Sequence, residues 1–303
     1  MNILFRADSS STIGTGHIMR DLVLATQYPK ANITFATQNL DGNINHKIIE
    51  EKYQLEIIKD NSIDILDKLI KRLNIDMIII DHYGIDYNFE KQLKIQNSSL
   101  KIFSLDDTYE KHYCDIILNH NISAKKEKYK SLVPKNCEVR CGSKYMLIRD
   151  EFLKEKKKLK QKKQFKIKNS TLKIFVAMGG ADHTNINIKI LKVLKKFKNI
   201  KIDLVTTNAN KNLKKLKQYC KNKSWIKLHI NSNKIAKLMR KNHFAIVTPS
   251  VTVNEVYYMN LPFIAIKTAS NQKDIYEYLK KKKYLVLENF NKNKLKEKLC
   301  KIL

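Results

Sequence analysis

Short runs of β-branched and apolar residues alternate regularly with longer amphipathic stretches along this sequence. Twelve such runs occur, six in each half of the chain: 3–8, 33–37, 55–59, 77–81, 101–106, 115–119, 172–178, 201–207, 226–230, 244–248, 263–267 and 284–288. The stretches at 62–73, 233–241 and 271–284 carry apolar residues three and four positions apart, and Ser62 is placed to cap the first of them. This alternation predicts parallel strands joined by helical crossovers, and therefore an α/β fold.

A lysine-rich stretch, RDEFLKEKKKLKQKKQFKIKNS at 149–170, interrupts the alternation near the middle of the chain. We predict two doubly wound domains, at 1–150 and 171–303, separated by a Lys-rich linker at 151–170. A chain of 303 residues is long enough for two domains with separate cores. Ligands of such sheets bind at the carboxyl ends of the strands, so we expect the two sets of strand ends to face each other across a cleft.

The strong positive charge of the chain raises the question of nucleic-acid binding. Lys and Arg number 59 against 29 Asp and Glu, which gives a formal net charge of +30. Only six of the basic residues are arginines, and lysine accompanies asparagine and isoleucine through every segment. Surfaces that follow a phosphate backbone favour arginine and stacked aromatic residues. We therefore interpret the charge as background composition and expect no nucleic-acid partner.

The sequence also bears on membranes and secretion. No apolar run approaches the length of about 20 residues that a membrane-spanning helix requires, so we expect no membrane partner. The first residues, MNILFRADSS, lack the basic segment and long apolar run of a secretory signal. We expect a cytoplasmic protein.

The cysteines are an odd number spread over a large chain, at positions 114, 137, 141, 220 and 300. This pattern is not typical of a disulfide framework, and we expect reduced and mostly buried thiols. Cys137 and Cys141 are close enough in sequence to bind one metal ion, but no second pair of Cys or His follows at a zinc spacing. We predict no metal and no cofactor.

Glycine is rare in this chain, so its positions are informative. Of seven glycines, Gly14, Gly16, Gly179 and Gly180 lie where an apolar run passes into a helical stretch. A glycine turn lets backbone N–H groups approach a ligand, and the positive end of the following helix points to the same place. Such a site suits a phosphate, although a tight turn without a ligand is the favoured interpretation of either pair taken alone.

Polar residues follow two of the strand ends in the second half. In AMGGADHTN, Asp182, Thr184 and Asn185 either cap a helix or contact a ligand. In TPSVTVNEVYYM, Asn254 and Glu255 enter an apolar helix. A carboxylate there can accept hydrogen bonds from a ribose diol, although an ordinary first-turn glutamate looks the same. Neither a Walker-type lysine motif nor a complete G-x-G-x-x-G is present, which leaves a nucleotide diphosphate as the ligand that the pattern favours.

His17 directly follows Gly16, and on this position alone an ordinary helix-start residue and a catalytic residue are both open interpretations. Longer motifs resemble one family, the UDP-2,4-diacetamido-2,4,6-trideoxy-β-L-altropyranose hydrolases of the pseudaminic acid pathway. The resemblance extends from residue 1 to about residue 285, and the motifs that carry it are LFRADSSSTIGTGHIMRDLVLA, IIIDHYGID, LDDTYEKHYCDIILNHN, CEVRCGSKYMLIRDEF, FVAMGGAD and VTVNEVYYMNLPFIAIKTASNQ.

This resemblance implies a fold and a reaction. The fold is GT-B-like, with two Rossmann-like domains facing across a cleft. The reaction is the metal-independent hydrolysis of a UDP-sugar at the anomeric carbon with inversion, which releases UDP and a free 2,4-diacetamido-trideoxy altrose. The product leads to a nonulosonic acid used to glycosylate flagellin or other surface structures.

The resemblance also implies roles for individual residues. His17 becomes the base that activates water, and Tyr83 lies near the sugar, although an aromatic ring covering a strand end is the alternative for Tyr83. His82 is structural or supports a neighbour. The remaining candidates are expected to bind the substrate, with the second glycine pair on the diphosphate and Glu255 on the ribose: Gly14, Gly16, Gly179, Gly180, Ser250, Asn254, Glu255 and Gln272.

The sequence leaves two other functions open. A GT-B glycosyltransferase would use the same UDP site but pass the sugar to an acceptor other than water. A basic nucleic-acid-binding protein is the alternative from another class. We expect a UDP-sugar and water as partners, and a monomer.

Overall fold

Parallel strands joined by helices form the framework of each half of the chain, as the alternation predicts. The computed structural model describes residues 1–160, 171–180, 182 and 184–302. The chain divides into two units, Met1–Leu147 and Ile148–Leu303. The first part of the segment predicted as a linker, 151–160, is helical and falls in the second unit, and 161–170 lie outside the described residues.

The first unit contains a seven-stranded parallel sheet in the order β3-β2-β1-β4-β5-β6-β7. Its strands are β1 (Asn2–Ala7), β2 (Asn32–Thr37), β3 (Gln54–Ile57), β4 (Met77–Asp81), β5 (Lys101–Leu105), β6 (Ile116–Asn119) and β7 (Glu138–Cys141). The strand order reverses between β1 and β4, where Ala7 pairs with Asp81. A doubly wound sheet binds its ligand at such a reversal, beyond the carboxyl ends of the strands.

Side chains of alternate residues on β1 enter two different apolar layers, one on each face of the sheet. Ile3, Phe5 and Ala7 belong to one layer, and Leu4 belongs to the other. Phe5 stacks on Phe35 of β2 with ring centroids 4.7 Å apart. The helices are α1 (Gly16–Ala25), α2 (His46–Glu50), α3 (Ile63–Arg72) and α4 (Tyr87–Gln96), with 3₁₀ turns at Lys126–Tyr129 and Ser143–Tyr145.

The helix start predicted near residue 62 exists but is built differently from the prediction. Ser62 occupies the N-cap of α3 with extended backbone geometry, yet its side chain makes no capping hydrogen bond. The amide of Ser62 instead donates to Asp60 Oδ1 at 2.8 Å, so Asp60 shapes the turn that precedes the helix.

The second unit contains a six-stranded parallel sheet in the order β10-β9-β8-β11-β12-β13. The strands are β8 (Leu172–Ala177), β9 (Ile200–Thr206), β10 (Ile226–Ile230), β11 (Phe244–Val247), β12 (Phe263–Ile266) and β13 (Leu285–Leu287). Here the order reverses between β8 and β11, so the carboxyl ends of these two strands flank the expected ligand position.

Helix α5 (Asp150–Lys160) opens the second unit and packs against helix α8 (Ile235–Lys241). Glu151 accepts a hydrogen bond from the amide of Ala236, and Arg240 pairs with Glu155. These contacts integrate the start of the lysine-rich stretch into the second unit. The other helices are α6 (Ile186–Leu194), α7 (Leu213–Cys220), α9 (Val251–Tyr258), α10 (Lys273–Lys281) and α11 (Lys292–Cys300), with a 3₁₀ turn at Ser270–Gln272.

The cysteines are less buried than the sequence predicts. All five are free, but only Cys114 is buried, Cys300 is exposed and the other three are intermediate. Cys137 immediately precedes β7, and β7 is the outermost strand of the sheet in the described residues. Within the described part of the chain, no helix is both long enough and apolar enough to cross a membrane.

Candidate active site

A cluster of polar side chains lies at the carboxyl ends of β1 and β4, where the strand order of the first unit reverses. The chain leaves β1 through a loop in which Ser10 and Gly14 exchange backbone hydrogen bonds of 3.2 and 2.8 Å. Gly14 adopts a positive φ of 88°, a conformation that favours glycine. Helix α1 then begins at Gly16, which brings the next residue, His17, to the strand ends.

His17 is buried beside the carboxylate that ends β4. Its Nδ1 lies 2.7 Å from Asp81 Oδ1, and Asp81 is 1% exposed. Burial alone would raise the pKa of Asp81, but the charge and hydrogen bonds of Arg20 and the contact with His17 lower it below its ordinary value. An ionised carboxylate only accepts hydrogen bonds, so the ring proton of neutral His17 lies on Nδ1. Nε2 then keeps a lone pair and can accept a proton.

Arg20 lies one helical turn after His17 and links two carboxylates. Its Nε donates to Asp81 Oδ2 at 2.5 Å, and its Nη2 donates to Asp81 Oδ1. Its Nη1 donates to Asp107 Oδ2 at 2.9 Å, just beyond the end of β5. The planar guanidinium suits this double contact because its donors point in fixed directions.

The ring of Tyr83 also contacts His17. The two rings meet edge to face with centroids 4.9 Å apart. The Tyr83 hydroxyl donates to Asp107 Oδ1 at 2.9 Å. Burial and the charge of Asp107 raise the pKa of Tyr83, so the phenol keeps its proton and acts as a donor. Tyr83 is nevertheless 63% exposed overall, so part of the ring faces solvent.

Two further titratable side chains, Asp21 and His120, interact electrostatically with Asp81 and Arg20. Burial and the neighbouring charge of Asp81 raise the pKa of Asp21 well above its ordinary value, because two adjacent buried carboxyls do not both ionise. Burial and the charge of Arg20 lower the pKa of His120 to about 4. Neither ring nitrogen of His120 has a hydrogen-bond partner in the described residues. His120 is therefore uncharged at neutral pH, and burial beside Asp81 disfavours the ionised form of Asp21.

His82 belongs to a separate polar group at the same end of the sheet. Its Nε2 lies 3.3 Å from Asp8 Oδ2. Arg6, which is fully buried, donates to both oxygens of Asp8 at 2.8 and 2.6 Å and to Asn61 Oδ1 at 2.6 Å. This group connects the ends of β1 and β4 to the segment after β3.

In the second unit the predicted glycine turn follows β8. Gly179 adopts a positive φ of 82°, and a Cβ at that position would meet nothing within 4 Å. A Cβ at Gly180 would lie 2.8 Å from Thr207 Oγ1, so this residue must be small. The turn therefore has the backbone conformation and the open face that a close-approaching ligand requires.

Asp182 caps the helix that follows this turn. Its Oδ1 accepts from the amide of Ile186 at 2.6 Å, and its Oδ2 accepts from Asn187 Nδ2 at 2.9 Å. Of the two interpretations that the sequence left open for Asp182, these contacts favour the cap.

The segment after β11 places three of the predicted residues at or near the start of α9. Ser250 is the N-cap, and its hydroxyl lies 3.0 Å from Thr248 Oγ1. Asn254 is buried. Glu255 Oε1 accepts from Arg149 Nη2 at 2.9 Å, and Arg149 Nη1 lies 2.6 Å from Glu151 Oε1. Burial raises the pKa of Glu255, and the charge of Arg149 opposes that effect.

Gln272 lies in the 3₁₀ turn after β12 and binds its own loop. Its Oε1 accepts from the amide of Thr268 at 2.8 Å, which closes the turn beyond the strand end. The predicted residues of the second unit thus follow three neighbouring strands, β8, β11 and β12.

The sequence analysis named His17 and Tyr83 but missed the residues that connect them, Asp81, Arg20 and Asp107. A signal for the first two was present. Arg20 and Asp21 stand three and four residues after His17, so three polar residues share one face of a helix whose other face is apolar. Asp81 is the last residue of a central strand, where a ligand site is expected.

The described residues include no group of three or more His, Cys, Asp or Glu side chains arranged to hold a metal ion. No protein-family model matches the chain.

Named relatives match nearly the whole chain. The UDP-2,4-diacetamido-2,4,6-trideoxy-β-L-altropyranose hydrolase of Campylobacter jejuni is 42% identical over 286 residues, which cover 94% of this chain and 98% of that protein. An uncharacterized protein of Methanocaldococcus jannaschii is 31% identical over 293 residues, which cover 93% of this chain and 59% of that protein.

Solved structures share the fold at low sequence identity. MurG of Acinetobacter baumannii superposes with a TM-score of 0.65 at 10% identity, covering 99% of this chain and 90% of that one. The spinosyn rhamnosyltransferase SpnG superposes with a TM-score of 0.68 at 9% identity, covering 100% of this chain and 91% of that one. These matches confirm the predicted fold class, two doubly wound Rossmann-like α/β units of the GT-B type.

Proposed function

This chain belongs to the family of the UDP-2,4-diacetamido-2,4,6-trideoxy-β-L-altropyranose hydrolases, and on that premise we propose which bond it breaks and which residues act. The protein is a UDP-sugar hydrolase. Its substrate is a UDP-linked 2,4-diacetamido-2,4,6-trideoxy hexose of the altrose type, and its products are UDP and the free sugar. The product serves the biosynthesis of a nonulosonic acid such as pseudaminic acid.

His17 is the proposed base, and its contact with Asp81 is the observation that carries the proposal. Asp81 binds Nδ1 at 2.7 Å, so Nε2 is the nitrogen that accepts a proton from water. The hydroxide oxygen attacks the anomeric carbon as the bond between that carbon and the phosphate oxygen breaks, and UDP leaves with the bonding electron pair. Attack opposite the leaving group inverts the anomeric centre, and base catalysis of this kind contributes about 10²- to 10⁴-fold in rate.

The second unit is proposed to hold the UDP. Backbone amides of Gly179 and Gly180 and the start of α9 at Ser250 offer donors for the diphosphate. Glu255, oriented by its contact with Arg149, accepts hydrogen bonds from the ribose hydroxyls. Asn254 and Gln272 contact the phosphates or the sugar, and on the first unit Gly14 and Gly16 leave room for the substrate beside His17.

The bond that breaks is tested with purified protein, ¹⁸O-labelled water and a panel of UDP-2,4-diacetamido sugars. We expect release of UDP without any added acceptor, ¹⁸O in the free sugar, and the inverted anomer as the first product seen by ¹H NMR. Label in UDP would place the attack on phosphorus. Turnover only after an acceptor is added would show a glycosyltransferase, the alternative that the fold also permits.

The role of Glu255 is tested by the variant Glu255→Gln. We expect UDP to bind about tenfold more weakly, because the amide makes weaker hydrogen bonds to the ribose than a carboxylate does. Wild-type protein should prefer UDP to 2′-deoxy-UDP in calorimetry, and the variant should not. Glu297→Gln, which alters an exposed pair with Lys301, is the matched control. An unchanged preference in Glu255→Gln would remove Glu255 from the ribose site.

The protein is further proposed to act as a cytoplasmic monomer, in the compartment where UDP-sugars are made, without a metal, a cofactor or a nucleic acid. Gel filtration with light scattering tests the monomer, and a peak at twice the mass of 35.5 kDa would contradict it.

A further inference from the structure

Arg20 lies between the carboxylate that contacts His17 and a second carboxylate farther from it. We propose that Arg20 is a positioning residue whose charge, shared between Asp81 and Asp107, sets the pH range in which His17 can act as the base. This inference rests on the role proposed for His17 above.

Asp81 on its own opposes the role proposed for His17. A base must be uncharged before it accepts a proton, and an ionised carboxylate in contact with an imidazole favours the imidazolium. Asp81 Oδ1 lies 2.7 Å from His17 Nδ1, and both side chains are at least nine-tenths buried, so solvent screens this attraction weakly. By itself, this contact favours the imidazolium and so opposes the role of His17 as a base.

Arg20 supplies the compensation. Its Nε and Nη2 bind both oxygens of Asp81, and Nη2 is 3.2 Å from His17 Nδ1. The guanidinium, which is 7% exposed, therefore opposes a positive charge on the imidazole as directly as Asp81 favours it.

The other charges around His17 determine the balance. From the end of β5, Asp107 adds a second negative charge through its contact with Arg20. His120 after β6 and the Tyr83 phenol are uncharged, and burial together with Asp81 disfavours the ionised form of Asp21 on α1.

The remaining charged groups at this end of the sheet largely balance one another. At the ends of β1 and β4, Arg6 pairs with Asp8, and His82 contacts the same carboxylate. With Asp21 in its protonated form, one positive charge on Arg20 and negative charges on Asp81 and Asp107 leave one net negative charge beside the uncharged imidazole. Uptake of a proton from water neutralises the cluster, which stabilises the imidazolium as it forms in the reaction.

Three substitutions change this balance in known directions. Asp107→Asn removes a negative charge but keeps a carbonyl oxygen for the Tyr83 hydroxyl. Arg20→Gln removes the positive charge. Arg20→Lys keeps the charge but cannot reproduce the fork that reaches both carboxylates.

The titration of His17 is measured directly by NMR of the full-length protein labelled with ¹⁵N-histidine, and the His17 signal is identified by its absence in His17→Asn. We expect Asp107→Asn to lower the titration midpoint by about one pH unit and Arg20→Gln to raise it by at least as much. Arg20→Lys should stay closer to the wild type. The acid limb of kcat/KM, where activity falls with decreasing pH, should move in the same direction as the midpoint.

The control is Asp67→Asn, which removes the same charge from a pair with Lys71 on α3 and should leave the midpoint unchanged. Arg20→Gln leaves Asp81 buried without its partner and can fail to fold. In that case Asp107→Asn decides. An Asp107→Asn midpoint equal to that of the wild type would overturn the inference. Absence of hydrolysis by the wild type would instead overturn the proposed function, since the NMR titration does not depend on turnover.

Discussion

At the scale of the residue, His17 depends on a partner that only the folded chain supplies. Asp81 holds the ring through Nδ1, and the edge of Tyr83 packs against it. A histidine with one nitrogen held and one nitrogen available is oriented before the substrate arrives. Removing His17 and removing the groups around it should therefore have different kinetic consequences.

For His17→Asn we expect kcat to fall by about 10²- to 10⁴-fold, because the variant lacks a base for water. The dissociation constant of UDP should stay within about twofold of the wild-type value, since general-base catalysis acts on the reaction rather than on nucleotide binding. UDP release by chromatography and UDP binding by calorimetry measure the two quantities. His46→Asn, a change at an exposed histidine that begins α2, is the control. Wild-type turnover in His17→Asn would exclude His17 as the base.

The Tyr83 hydroxyl is already bound to Asp107, so we expect the ring of Tyr83 to matter more to the reaction than its hydroxyl. We expect Tyr83→Phe to keep kcat within about tenfold of the wild type, and Tyr83→Ala to lose more because the edge contact with His17 disappears. Steady-state kinetics of the two variants separate these roles, with Tyr87→Phe as the control for loss of a tyrosine hydroxyl in the same unit. Equal losses in Tyr83→Phe and Tyr83→Ala would show that the hydroxyl itself takes part in the reaction.

The residues that sequence analysis found and missed differ in how they are connected. His17 and Tyr83 stand in motifs that are recognisable locally. Arg20 meets Asp81 and Asp107 across 61 and 87 residues of sequence, and nothing in the local pattern of either partner indicates that contact. A position at a strand end predicts that a residue faces the site, but the fold decides which side chains pair.

At the scale of the element, the twelve predicted strands all exist, with ends within two residues of the prediction. Apolar runs identify these strands because both faces of a parallel sheet are covered. Strand β7 was missed because Glu138 and Arg140 interrupt its apolar residues and it lies at the edge of the sheet. Its four residues lie within CEVRC, which the sequence analysis considered as a pair of metal ligands and as part of a family motif, but not as a strand.

The glycine turn after β8 and the start of α9 are proposed to bind the diphosphate without a metal ion. Backbone amides at such positions supply the hydrogen bonds that a diphosphate needs, so we expect EDTA to leave kcat and KM unchanged. Initial rates with and without the chelator, beside a magnesium-dependent transferase as positive control, measure this. Activity lost in EDTA and restored by Mg²⁺ or Mn²⁺ would show that a cation shares the diphosphate.

At the scale of the whole molecule, the alternation of runs predicts two α/β units, whereas charge composition alone does not place the point where one ends. The first unit ends at Leu147 and the second begins at Ile148, just before the lysine-rich stretch. The buried apolar side chain of Phe152 and the contacts of α5 with α8 explain why the start of that stretch folds with the second unit. A lysine count alone gives no information on such packing.

The net charge of +30 leads to a prediction for the whole molecule. A positive protein attracts a diphosphate over distances that salt screens, so we expect KM for the UDP-sugar to rise several-fold between about 0.05 and 0.5 M NaCl while kcat changes little. Uridine, which carries no phosphate, should bind equally well at both concentrations. A KM that does not respond to salt would confine the effect of charge to residues in direct contact with the substrate.

The shared guanidinium of Arg20 has a consequence for anyone who engineers this fold. The side chains of the cluster come from three chain segments: helix α1, the end of β4 and the residues just after β5. A transplanted His17 brings its ring but neither of the carboxylates on β4 and after β5 that Arg20 joins. A designer who moves the histidine to another scaffold must move four side chains from three chain segments together.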